Sequence, residues 1–185
     1  MKNGIIEIND FVPISVCKKI CEMTDESEET VTGSIGERTY FQSDKIHCVE
    51  LDMWKMTQGT SGNREMWRKM LSKFKTGILT SYKKYCESLN IEPEENITIE
   101  PPKVHRYDPK FGRHIPTLFS EKRIASVFMY LNDVKMGSLK FENGTSIKPK
   151  TGKAVVFPAT KEYMFEDKPS QDYMKYAIKC YIIRK

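Results

Sequence analysis

The stretch YLNDVKMGSLKF, residues 130–141, reads as the end of one strand, a turn and the start of another. Before it, RIASVFM is rich in β-branched and aromatic residues. Asn132 and Asp133 then punctuate the chain, Gly137 sits in the connection, and GSLKF resumes an extended pattern. The same signature flanks it on both sides, in ITIEPPKVHRY (97–107), TSIKP (145–149), KAVVFPA (153–159) and KYAIKCYII (175–183). The last eighty-odd residues therefore read as short strands broken by Gly, Pro or Asn.

Working back toward the N-terminus, the period changes. From Arg64 to Leu89 the apolar positions Trp67, Met70 or Leu71, Phe74, Ile78, Tyr82, Tyr85 and Leu89 recur every three or four residues, which predicts one long amphipathic helix with a core-facing stripe. GIIEINDF (4–11) predicts a strand. VPISVCKKICEM follows as a short helix with Pro13 at its start and Ile14, Cys17, Ile20 and Cys21 on one face. Residues 24–38, TDESEETVTGSIGER, are acidic, aperiodic and read as a loop. Helices early and strands late, with no linker of domain-boundary quality, predict a single α+β domain over 1–185. In it, 1–100 form helix-rich support and 101–185 form the core strands, as a β-sandwich or jelly roll.

Composition narrows the function. No apolar run approaches the roughly 20 residues of a membrane helix, and the N-terminus lacks the order of a signal peptide, so no membrane association or secretion is expected. The five cysteines are scattered, without zinc spacing, and read as reduced thiols, with Cys17 and Cys21 as small core residues. Residues 1–100 hold 13 Lys and Arg against 17 Asp and Glu, a net −4, whereas 101–185 hold 17 against 8, a net +9. The basic residues lie dispersed along strands and read as a solvated face. Nucleic acid is an unlikely partner because no groove-reading or base-stacking motif accompanies them.

Taken in order and spacing, YLNDVKMGSLKF, IKPKTGKAVVFPA (147–159), MKYAIKCYII (174–183) and the opening IIEINDFVPISVCKKI resemble the iron- and 2-oxoglutarate-dependent dioxygenases. The branch is the prolyl 4-hydroxylase-like one, in its short phage-encoded form. The resemblance implies a double-stranded β-helix (jelly roll) buttressed by N-terminal helices. It further implies Fe(II) held by two histidines and a carboxylate, and 2-oxoglutarate held through its far carboxylate by a fixed cation.

Residue by residue, RYDPKFGRHIPTLF (106–119) places Tyr107 at the tyrosine lining the cosubstrate pocket and His114 at the first iron-binding histidine. Pro116 stands where the carboxylate ligand belongs. Lys175 takes the cosubstrate cation's place, Gly137 the tight connection, and the position ten before Lys175, where the distal histidine belongs, is Phe165. His105 shares the inward parity of Tyr107 and is a further candidate ligand; His47 lies in an early strand-like segment. Glu162, Glu166 and Asp167 are expected to face away from the vacated distal position.

With two of three ligands replaced, the chain is expected to be a catalytically degenerate oxygenase fold without cofactor. It would serve as a binding or structural module, in a virion or in host cytoplasm, through self-association or docking in a larger assembly. Lys148, Lys150 and Lys153 are the candidate contact residues. The rival expectation is an active Fe(II)- and 2-oxoglutarate-dependent hydroxylase of a protein side chain or small molecule.

Overall fold

The computed structural model describes residues 4–27, 31–32, 46–58, 63–111, 113–115 and 120–185. Among these residues three α-helices, α1 (Ile14–Asp25), α2 (Met53–Gln58) and α3 (Arg64–Leu89), accompany thirteen strands. The strands are β1 (Ile6–Ile8), β2 (Val31–Thr32), β3 (Ile46–His47), β4 (Val49–Asp52), β5 (Ile97–Ile99), β6 (Lys103–Tyr107) and β7 (Arg113–His114). They continue as β8 (Arg123–Tyr130), β9 (Leu139–Phe141), β10 (Ser146–Ile147), β11 (Ala154–Pro158), β12 (Phe165–Asp167) and β13 (Lys175–Arg184).

The predicted long helix has the bounds of α3. Trp67, Met70, Phe74, Ile78, Tyr82 and Tyr85 are buried along one stripe. Asn90 ends it in the left-handed conformation, φ 54°, with its N–H and that of Ile91 returned to the last-turn carbonyls. In α1 the buried face is Cys17, Ile20, Met23 and Thr24, whereas Ile14 is 59% exposed. The apolar stripe thus begins at Cys17, one turn later than its spacing predicts.

All sheet pairing is antiparallel. The larger sheet runs β1-β11-β8-β13-β6-β4-β2, with β5 also paired to β13; the smaller runs β10-β9-β12-β7-β3. One face of the larger sheet carries Val104, Val127, Met129, Val156, Ile178 and Ile182 against α1 and α3. The other faces the smaller sheet across a second core. Strand alternation makes this division, since odd and even residues of β13 face opposite layers.

Two expectations are corrected here. The segment 24–38 is not loop throughout: α1 reaches Asp25, and Val31–Thr32 pair with β4; residues 33–38 lie outside the described residues. The first hundred residues are more than helical support, since β1 and β4 add to the larger sheet and β3 to the smaller. No helix among the described residues is long and apolar enough to cross a membrane.

Candidate functional site

The space between the two sheets is the place where a jelly roll holds a ligand, and its walls follow from parity. On β13, Lys175, Ala177 and Lys179 point inward; on β6, Lys103, His105 and Tyr107; on β12, Phe165 and Asp167. These side chains divide the interior into an aromatic zone and a charged zone.

Phe165 lies in the aromatic zone, with ring centroids 6.1 Å from Phe128, 6.0 Å from Phe141 and 5.4 Å from Phe157. Tyr130 extends the cluster beyond Phe128. Edge-to-face geometry of this kind is a packing solution for a solid core. Beside it, the Lys179 ammonium stands 5.3 Å from the Phe165 ring centroid and 4.9 Å from that of Tyr181. Burial, reinforced by the charge of Arg123, pulls the Lys179 amine down to about 7. Arg123 itself lies over the Tyr181 ring and pairs with Glu100 through two hydrogen bonds of 2.7 and 2.8 Å. A cleft of about 300 Å³, including its open mouth, reaches this zone between Ser126, Thr160, Tyr163 and Tyr181.

The charged zone centres on Lys175. Its ammonium donates to Asp167 Oδ1 at 2.7 Å, to the Gly137 carbonyl at 3.2 Å and to the Lys168 carbonyl, and it lies 4.6 Å from the Tyr107 ring centroid. Both partners of the ion pair are fully buried. Gly137 has φ +66°, and a Cβ there would come within 3.3 Å of Lys175 Cδ, so the approach of its carbonyl depends on glycine. Burial pushes the Asp167 carboxyl up, against the opposing pull of Lys175. The Tyr107 hydroxyl shares a 2.9 Å hydrogen bond with His105 Nδ1, and His105 Nε2 lies 3.1 Å from Glu50 Oε2. Glu50 also accepts from Lys103 at 2.6 Å. Although burial alone would raise it, contact with His105 and Lys103 brings the Glu50 carboxyl down to about 2.

The sequence expectations fare unequally against this geometry. Tyr107, His105 and Lys175 do converge inside the β-helix. Lys175 opens β13, the central strand of the larger sheet, and is no exposed edge residue. Phe165 also faces the interior. His114 is placed by its backbone, paired with Asp167 on one side and Ile46 on the other, and its side chain lies outside the described part; so does Pro116 altogether.

Asp167 was expected to face away and does not. It stands two residues from Phe165, so alternation turns both to the same side, while Glu166 between them turns out, with an ion-pair contact to Lys168. The reading of the late lysines as solvated also fails for Lys175 and Lys179, both buried. Among the proposed contact residues, Lys148 and Lys150 are exposed, but Lys153 donates to Glu7 at 2.7 Å and ties β1 to its neighbours. Sequence reasoning missed Glu50 and Lys179 and turned Asp167 the wrong way. Their parity relative to Tyr107, Phe165 and Lys175 is the signal that finds the last two.

The described side chains around Phe165 do not supply two histidines and one carboxylate. Phe165 supplies no donor, the Asp167 carboxylate is engaged by Lys175, and a buried amine borders the Phe165 ring. Among the described residues no three His, Cys, Asp or Glu side chains gather in a metal-holding group.

A double-stranded β-helix backed by α1 and α3 is the fold of the 2-oxoglutarate- and Fe(II)-dependent oxygenases, in the prolyl hydroxylase-like form. Residues 102–183 match the family described as the 2OG-Fe(II) oxygenase superfamily. The viral collagen prolyl hydroxylase of Paramecium Bursaria Chlorella virus-1, solved with 2OG, is similar over 100% of this chain and 98% of its own, at 15% identity and a TM-score of 0.67. A Trichoplax adhaerens prolyl hydroxylase, solved with a hypoxia inducible factor peptide, matches over 98% and 84% at 18% identity and a TM-score of 0.71. A Pseudomonas putida prolyl-4-hydroxylase matches over 99% and 94% at 17% identity and a TM-score of 0.68. No functionally curated protein matches the sequence.

Proposed function

We propose that the chain is a catalytically degenerate oxygenase fold that works as a binding or structural module, with a phage virion as its setting. The observation that carries this reading is Phe165 at the distal-histidine position, packed among three other phenylalanines with the Lys179 amine 5.3 Å from its ring. Two effects oppose a metal there. A phenyl ring has no lone pair to offer, and the protonated form of the Lys179 amine beside that ring repels a divalent cation. Loss of even an outer partner of a metal ligand lowers affinity by roughly 10–100-fold, so loss of direct ligands weighs more.

The rival reading, an Fe(II)- and 2-oxoglutarate-dependent hydroxylase, draws on the buried Lys175 beside Tyr107 and on the prolyl hydroxylases that share the fold. Anaerobic loading with Fe(II), followed by metal analysis and 2-oxoglutarate calorimetry, separates the two. The degenerate reading expects substoichiometric iron and no effect of metal on 2-oxoglutarate binding. Stoichiometric iron, or tight binding that depends on it, overturns the proposal. As a positive control, Pro116→Asp with Phe165→His and Lys179→Met rebuilds the ligand set and removes the competing cation, and is expected to gain metal affinity over any single change.

A further inference from the structure

The Lys175 ammonium has three N–H groups, and all three are used: one by Asp167 Oδ1, one by the Gly137 carbonyl and one by the Lys168 carbonyl. The Tyr107 ring covers another side, and nothing of the side chain reaches solvent. Two of these acceptors are backbone carbonyls in the connections next to β9 and β12, which are tied together by the Lys168 N–H to Ser138 carbonyl bond of 3.0 Å and the Met136–Ser170 bridge, with Gly137 at φ +66°. They form a rigid socket that orients the ammonium toward one remaining partner, a carboxylate. The pair also departs from an ordinary structural ion pair. Asp167 Oδ2 is buried and meets no donor at full hydrogen-bond geometry among the described residues; the donor beside the carboxylate is the Tyr107 hydroxyl, which also shares a 2.9 Å bond with His105 Nδ1, whereas a carboxylate retained for stability is expected to have both oxygens fully satisfied.

We propose that Asp167 is a resident ligand, its side chain occupying a receptor for small carboxylates built around Lys175. The inference rests on the functional reading above in one respect, that Lys175 is the cation that the fold assigns to a carboxylate. A tethered carboxylate competes at the high effective concentration of an intramolecular group, so a free acid at millimolar concentration does not displace it. Removing the side chain vacates the receptor for an acid small enough to replace it, such as formate or acetate. Nothing in this exchange needs a metal.

The test is chemical rescue. Asp167→Gly is expected to melt well below wild type, and about 100 mM sodium formate to raise its melting temperature by several degrees more than the same concentration of sodium chloride, increasing with the logarithm of formate concentration. Wild type, Asp167→Asn, whose amide keeps the volume without the charge, and Asp167→Gly with Lys175→Met are expected to respond to formate no more than to chloride. An equal response to the two salts in Asp167→Gly, or a formate response surviving loss of Lys175, overturns the proposal.

If Asp167→Gly is recovered only unfolded, refolding yield in formate against chloride gives the same comparison. A double-mutant cycle supplies a second check. Asp167→Leu and Lys175→Met are each expected to lower the folded-to-unfolded ratio about 100-fold or more, while the pair together stays within about 10-fold of wild type; additive losses would refute residency. Fe(II) loading of the wild type decides the degenerate reading and leaves formate rescue untouched, so either can fail alone.

Discussion

The two faces of the larger sheet obey different rules. Toward α1 and α3 its side chains are Val, Ile, Met, Ala and Cys, packed on a helix stripe. Toward the smaller sheet the same strands carry Lys103, His105, Tyr107, Lys175 and Lys179 between walls of phenylalanine. A sheet needs one apolar face to be stable, and the outer face supplies it. The inner face is then free to hold groups whose burial is costly. In this chain that face holds a cluster of phenylalanines around Phe165 and, beside it, buried charges in pairs and networks. The difference teaches that scaffold and pocket are separable: the helix packing outside and the aromatic and charged groups inside hang on alternate residues of the same strands.

The sharpest way to break the comparison is to attack the outer face. Trp67 is fully buried in the α3 stripe. Trp67→Ala is expected to cost about 3–5 kcal/mol, the range for aromatic truncation in a core. Urea denaturation measures it, and a loss below about 1 kcal/mol would mean that the helix is not the support it looks to be.

The next largest effect lies on the inner face and depends on pH. Although burial opposes it, contact with His105 and Lys103 holds the Glu50 carboxyl down at about 2 in the folded chain, against an ordinary 4.5. A depressed carboxyl contributes stability above the unfolded value, and the contribution is lost as pH falls from about 4.5 toward 2. Its size is on the order of 3 kcal/mol. Wild type should therefore lose its advantage over Glu50→Gln across that window and keep it above. Parallel acid-limb curves for the two proteins would contradict the His105 and Lys103 contacts as its source.

What the sequence discloses follows the same division. The bounds of α3, the strands after residue 96 and the inward parity of His105 and Tyr107 were legible, because a 3.6- or 2-residue period records which face is covered. Asp167 was misread although its parity with Phe165 was countable: the one-residue offset that turns a side chain away holds for Glu166, and two residues restore the phase. Glu50 was not legible at all: its partner His105 is 55 residues away, and only the pairing of β4 with β6 brings them together. Lys179 reads as a solvated charge on any composition scale, and its burial is a property of the closed β-helix.

Lys179 offers a smaller effect of the opposite sign. Its amine is pulled from 10.5 to about 7 by burial, so the unfolded chain binds the proton more tightly and the wild type gains stability as pH rises from about 7 toward 10.5. Lys179→Met keeps the stem's volume without the amine. It is expected to be more stable than wild type by about 1–3 kcal/mol at pH 6, with the gap closing by pH 10. Thermal melts at the two pH values check this. A Met variant less stable than wild type at pH 6 would show that the buried amine is held by contacts worth more than its desolvation.

The smallest effect on stability belongs to residues outside both faces. Lys148 and Lys150 are exposed, in the loop between β10 and β11, whereas Lys153 is committed to Glu7. Reversing Lys148 and Lys150 to Glu is expected to change folding stability by less than about 0.5 kcal/mol, as for surface changes away from structural features. The halves of the sequence carry −4 and +9, although their strands share both sheets; exposed Lys148 and Lys150 meeting acidic side chains would favour a heterologous, head-to-tail contact between copies or docking on an acidic neighbour. If that contact exists, the double reversal shifts the protein toward monomer in sedimentation analysis, and raised salt does the same to wild type by screening. Lys153→Glu is the counter-test. It breaks the tie to β1 and is expected to lower the melting temperature, so a loss of assembly there reports damage to the fold and not to the contact. A wild type that sediments as a monomer at low salt, and is absent from purified particles, removes the assembly role and leaves the closed pocket to be explained by a partner that binds one copy at a time.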